Sequence, residues 1–207
     1  MRLLAAFAAL CALFTAPAMA TDEPAYTLVE RVGPVEIRDY PALIVAEVEV
    51  AGERSRATGQ GFQPLANYIF GDNQPRADIA MTAPVTASRA GQDIATAAPV
   101  ASRATGEGRW TVSFIMPSEW TMDTLPVPND PNVRVRQAAP RRVAVIAFSG
   151  VMTDRRAERR QTELEAFLAN RGMQAQGAPT YAAYNPPWIP GPFRRNEIWI
   201  EIAGEAA

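Results

Sequence analysis

Apolar and polar residues alternate along several short stretches of this chain, and proline or glycine bounds each stretch. Tyr26 to Val32 and Val35 to Tyr40 are extended runs on either side of Gly33-Pro34, a strong turn pair. After Pro41, Leu43 to Val50 is a β-branched run in which Glu47 and Glu49 alternate with apolar neighbours. Trp110 to Met116 alternates and stops at Pro117. Val133 to Gln137 sets Arg134 and Arg136 against valines, and Val143 to Phe148 is an apolar strand. Past Phe193, Ile198, Ile200 and Ile202 point one way, with Glu197, Trp199 and Glu201 pointing the other. The pattern predicts two halves built on one plan of two strands, a helix and two strands. Pro126, Pro128 and Pro131 mark the join between them.

Each half places a helical segment after a strand that ends at glycine, Gly52 and Gly150. In the second helix Thr153 or Asp154 can cap the start, and Ala157, Leu164, Phe167 and Leu168 form the apolar face. Arg159 and Glu163 stand at ion-pair spacing, and Gly172 supplies the stop. The first helix has Phe62, Leu65, Ala66 and Ile69 at i, i+3, i+4 and i+7, interrupted by Gly59, Gly61 and Pro64. It either kinks at Pro64 or starts there. Between the helices, Asp78 to Val85 recurs fifteen residues later as Asp93 to Val100, and this predicts a small-residue hairpin at a sheet edge, where proline is tolerated.

Residues 1–20 read as an export signal: Arg2, the apolar run Leu3 to Phe14, and the small-x-small pattern Ala18-Met19-Ala20. Leu10 stands before Cys11, where a lipoprotein signal would have a small residue. Residues 21–207 then form a single domain with a sizeable core, in the periplasm or outside the cell, and with no stretch long and apolar enough to span a bilayer. Cys11 is the single cysteine, so the mature chain has neither disulfide nor thiolate chemistry. The sequence contains no histidine and no lysine, which excludes Ser-His-Asp triads, histidine–zinc sites and Schiff-base lysines. With a net charge of −2 and no basic stripe beyond the second helix, nucleic acid is a poor partner.

The densest signal is Tyr184 to Ile202, where Pro186, Pro187, Pro190 and Pro192 stiffen a loop that carries Trp188 and Ile189 into the last strand. Together with Ile79 to Val85, Ser113 to Ser118 and the segment Gly61-Phe62 to Gly71, this stretch resembles the SOUL family of heme-binding proteins, in the right order along nearly the whole mature chain. The resemblance implies an α+β fold, a distorted antiparallel β-barrel built from two ββαββ repeats with a helix packed on each half. It also implies a heme or other tetrapyrrole ligand in an apolar cleft between the first helix and the proline loop. Carried over, Phe62, Leu65, Ala66 and Ile69 line the helix side, and Pro187, Trp188 and Ile189 the loop side. Arg54, Arg56, Arg194 and Arg195 flank these walls as candidate partners for the ring's carboxylates. The missing histidine departs from members assigned a histidine axial ligand, which leaves Tyr68, Tyr184 and Met81 as weak candidates for iron.

Two other readings share the barrel. One is a general carrier of apolar small molecules. The other is a small-molecule hydrolase using a pocket glutamate with a tyrosine, Glu197 or Glu119 near Tyr184 or Tyr68. A non-enzymatic tetrapyrrole carrier or scavenger is the favoured expectation.

Overall fold

The computed structural model describes residues 23–76, 91–95, 98–106 and 108–204. Three strands open the chain: β1 (Thr27–Val32), β2 (Val35–Tyr40) and β3 (Leu43–Ala51). Helix α1 (Arg54–Ile69) follows, then a two-residue strand β4 (Asn73–Gln74). Next come β5 (Val100–Gly106), β6 (Arg109–Ile115), the short β7 (Val127–Pro128), β8 (Arg134–Ala138) and β9 (Arg141–Ser149). Helix α2 (Asp154–Asn170) precedes β10 (Ala175–Ala183) and β11 (Arg195–Ile202).

The main sheet has nine antiparallel strands in the order β1-β2-β9-β11-β10-β5-β6-β3-β8, and β4 pairs with β7 apart from it. The expected barrel does not close, because β1 and β8 are free edges. Both edges carry features that discourage further pairing. The register of β1 shifts between Leu28 and Glu30, and β8 presents the exposed residues Arg134 and Arg136.

Period-two alternation divides the sheet into two faces. On one, Ile198, Ile200 and Ile202 join Ala144, Ile146, Val35 and Ile37 under Leu164 and Leu168 of α2. Beside them Ala46, Val48, Val112 and Phe114 pack under Leu65, Tyr68 and Ile69 of α1. On the face away from the helices, Tyr40, Val143, Val145 and Trp199 form a third cluster. Helix α1 starts at Arg54 and carries Pro64 in its interior, so it does not start at that proline. Gly61 explains how closely this helix sits: a Cβ there would lie 2.7 Å from Val112 Cβ. The cap of α2 is Thr153, whose hydroxyl accepts from Arg156 N at 3.3 Å, and Glu163 pairs with Arg160 at 2.7 Å.

The small-residue segment departs from expectation. Its second copy leads into β5, which lies in the sheet interior between β10 and β6 rather than at an edge. The first copy, with Met81, lies outside the described residues. Within the β5–β10 pair Ala101 faces Ala182, and both are buried. Pro179 is accommodated in β10 where the register with β11 shifts, between Gln176 and Thr180.

Candidate functional site

Two constellations meet around the start of β11. The first is the loop that joins β10 to β11. Its prolines fix the backbone, Gly191–Phe193 makes one turn of 3-10 helix, and Arg194 ties the loop to itself. Arg194 Nε donates to Ile189 O at 2.6 Å and Nη2 donates to Pro187 O. Asn185 Oδ1 accepts from Arg195 N at 2.6 Å. On this braced frame Trp188 is 78% exposed and Phe193 76% exposed. A depression of ≈390 Å³ opens beside Phe193, with Phe148 and Pro192 in its wall and Arg194 and Arg195 at its edge.

The second constellation is centred on Glu197, which is fully buried on the helix-free face. Four side chains converge on its carboxylate with six donor atoms. Arg38 approaches from both prongs, Nη1 to Oε2 and Nη2 to Oε1, each at 3.0 Å. Tyr184 Oη and Trp199 Nε1 each donate to Oε2 at 2.7 Å. Arg195 Nη2 donates to Oε1 at 2.7 Å, with Nε behind it at 3.2 Å. Burial alone would raise the Glu197 pKa; the bonds and charge of Arg38, with Arg195 and Tyr184, hold it below the ordinary carboxylate value. Burial and the Glu197 charge push the Tyr184 hydroxyl upward, so it stays protonated as a donor. Tyr40, stacked 5.4 Å from Trp199, is pushed up to about 12, chiefly by burial.

The chain's early residues close over this hub. Tyr26 lies 4.4 Å beneath the Arg38 guanidinium and 5.4 Å from the Tyr40 ring. Glu23 pairs with Arg195 Nη1 at 2.9 Å. The period-two pattern of β2 already puts Glu36, Arg38 and Tyr40 on one face, but nothing local to that strand identifies a partner 159 residues away.

The structure distributes the other nominated residues as follows. Phe62 is 45% exposed and meets Phe114 edge-on at 5.4 Å. Leu65, Ala66 and Ile69 are buried, Leu65 and Ile69 within the cluster beneath α1. Pro187 and Arg56 are exposed, and Ile189 is half-buried. Arg54 belongs to the junction between the helices, 2.5 Å from Asp154 and 5.0 Å from the Tyr181 ring centre. Tyr68 is buried and donates to Pro126 O at 2.8 Å. Glu119 is exposed in the loop beyond β6, and the glutamate that bonds Tyr184 is Glu197. Phe193 is not singled out by the sequence pattern; its exposure beside Arg194 is visible only in three dimensions.

A family model described as SOUL heme-binding protein matches residues 21–201. Heme-binding protein 2 of Homo sapiens is 30% identical over 191 residues, covering 89% of this chain and 88% of the relative. The Mus musculus protein of the same name is 29% identical, covering 81% of this chain and 78% of the relative. Among solved structures, the C-terminal domain of EcmrR aligns with a TM-score of 0.56 at 12% identity, covering 87% of this chain and 99% of that one. A protein described as a hydrolase from Listeria innocua aligns with a TM-score of 0.54 at 11% identity, covering 84% and 94% respectively. At such identities these two structures speak for the fold alone.

Proposed function

The chain belongs to the SOUL heme-binding protein family, and we propose that it binds heme or a related tetrapyrrole as an exported carrier or scavenger. The observation that carries the reading is the braced loop on which Trp188 and Phe193 stand 78% and 76% exposed. Aromatic rings held out from a stiff frame are suited to stacking on a flat apolar plate, with little conformational entropy left to lose. Phe62 of α1, also exposed, offers a further apolar surface on the helix side of the proposed cleft, while Leu65, Ala66 and Ile69 back that wall from the core.

The residues fit the ring better than they fit an iron bond. The chain has no histidine. The Tyr184 and Tyr68 hydroxyls are committed to Glu197 and Pro126 O. The macrocycle supplies an apolar plate and two carboxylates, and this chain's part is to stack against the plate and pair with the carboxylates. Arg195 is suited to that pairing, because its side chain is 39% exposed and Glu23 occupies it with a carboxylate that a ligand carboxylate can replace.

The hydrolase reading loses ground on geometry. Glu197 is buried and saturated by donors, with a lowered pKa, so it has no free lone pair for general-base work. Export rests on Arg2, the apolar run and Ala18-Met19-Ala20, with residues 21–207 as one domain. The two-repeat architecture is supported by the strand order. Exchanging the halves maps β2-β9-β11-β10 onto β8-β3-β6-β5, and in each half the helix follows the matched strand, β3 or β9. Titration with hemin, followed by the Soret band, tests the binding reading; no spectral change at micromolar concentration would sink it.

A further inference from the structure

A second cavity, of ≈360 Å³, lies where β2 ends, β3 begins and β6 ends. It shares no lining residue with the depression beside Phe193. Its apolar walls come from Leu43 and Ile44 on β3, Ile115 and Met116 at the end of β6, and Trp120 and Met122 in the loop beyond. We propose that this cavity is a separate binding site, for a neutral apolar molecule of one or two rings that carries a hydrogen-bond acceptor.

Three observations define that ligand. The volume is at the small end of ligand pockets, which favours one or two rings over a macrocycle. No arginine lines the cavity, and its one charged lining residue, Glu23, is already paired with Arg195. A carboxylate would therefore enter without a countercharge and beside a negative group. Finally, Trp120 Nε1 is buried with no hydrogen-bond partner, one of two such side-chain atoms among the described residues. Trp120 is half-buried and borders the cavity, and the proposed site assigns its N–H, after a tilt of the indole, to an acceptor such as a ketone oxygen. Satisfying an orphaned donor is a gain that an isosteric ligand without the acceptor cannot make.

The test uses three probes of one shape: 2-acetylnaphthalene, naphthalene and 2-naphthoate, titrated by calorimetry and tryptophan fluorescence. The wild-type protein is expected to bind 2-acetylnaphthalene about tenfold more tightly than either of the others. Trp120→Phe, which keeps an aromatic ring and removes the N–H, should erase the preference over naphthalene. Ala42→Phe, filling the cavity from its exposed mouth, should abolish binding of all three while hemin titrates as in wild type. Circular dichroism melts confirm folding, and Ser118→Trp is the alternative filling variant. Absence of 2-acetylnaphthalene binding by folded wild-type protein at roughly 100 μM overturns the site. So does equal binding of 2-naphthoate, a preference that survives Trp120→Phe, or binding that survives both filling variants. Failure of hemin to bind, with these probes behaving as stated, would leave the cavity standing and remove only the tetrapyrrole reading.

Discussion

Arg38 on β2 reaches across β9 to grip Glu197 on β11, both guanidinium nitrogens standing 3.0 Å from the two carboxylate oxygens. The contact links β2 and β11 by side chains, across a strand that pairs with both through its backbone. It has room because Glu197 is registered against Ala147, while Val143 and Val145 flank the path. Arg38 is itself 2% exposed, so neither charge has water to fall back on. Arg38→Met should therefore destabilise the fold by about 3–5 kcal/mol, the usual cost of leaving one buried charge without its partner. Urea denaturation measures this; a loss near zero would show that Arg195 and the neutral donors suffice for Glu197.

The pH profile of stability follows from the same groups. Glu197 has a lowered pKa in the fold, so its contribution is complete above the unfolded carboxylate value and is lost as pH falls through the folded one. Tyr40, Tyr68 and Tyr184 are raised, so theirs is complete below about pH 10 and is lost as pH rises through the folded values. With no histidine in the chain, little titrates between. Thermal melts should be nearly flat from roughly pH 6 to 9 and fall on both sides. A steep slope near neutrality would speak against these assignments.

Two glycines in one helix should respond oppositely to alanine. Gly59 has nothing within 4 Å of its would-be Cβ, so Gly59→Ala should stabilise by up to about 1 kcal/mol through helix propensity. Gly61 faces Val112 Cβ at 2.7 Å and Val48 Cγ2 at 3.1 Å, and neither belongs to a flexible chain end. Gly61→Ala should cost about 1–3 kcal/mol despite the same propensity gain. Denaturation midpoints of the two variants decide it.

This contrast also shows what the sequence can and cannot convey. Alternation from Arg195 to Ile202 is enough to assign Ile198, Ile200 and Ile202 to the core face and Glu197 and Trp199 to the other. It cannot show that Gly61 is a contact requirement and Gly59 is not, since that depends on Val112 in another strand. The interior place of β5 is illegible for a related reason. Its alanines lack strand propensity, and its place is set by long-range pairing with β10 and β6. The open sheet, in place of the expected barrel, rests on long-range edges that no local pattern encodes. At the site, the proline loop is plain in the sequence; the exposure of Phe193 and the grip of Arg38 on Glu197 are not.

Arg195 and Glu23 should pull hemin affinity in opposite directions. Arg195→Ala removes a carboxylate partner and should weaken binding by roughly threefold to tenfold, with reduced dependence on salt. Glu23→Gln removes the carboxylate that occupies Arg195 and should tighten binding by a comparable factor, roughly threefold. Calorimetry at two ionic strengths tests both; parallel weakening in the two variants would show that the pair only braces the fold.

If an apolar loop, rather than an iron bond, holds the ring, then removing the metal should matter little and removing the loop's indole should matter a great deal. Parallel titration of wild type and Trp188→Ala with hemin and with metal-free protoporphyrin separates the two. Affinities for the two rings should lie within about tenfold of each other, or about 1.4 kcal/mol. Trp188→Ala should weaken both together by about 2 kcal/mol. Hemin binding far more tightly than the metal-free ring, with Tyr184→Phe or Tyr68→Phe abolishing the difference, would instead establish an axial ligand and overturn the loop-held mode.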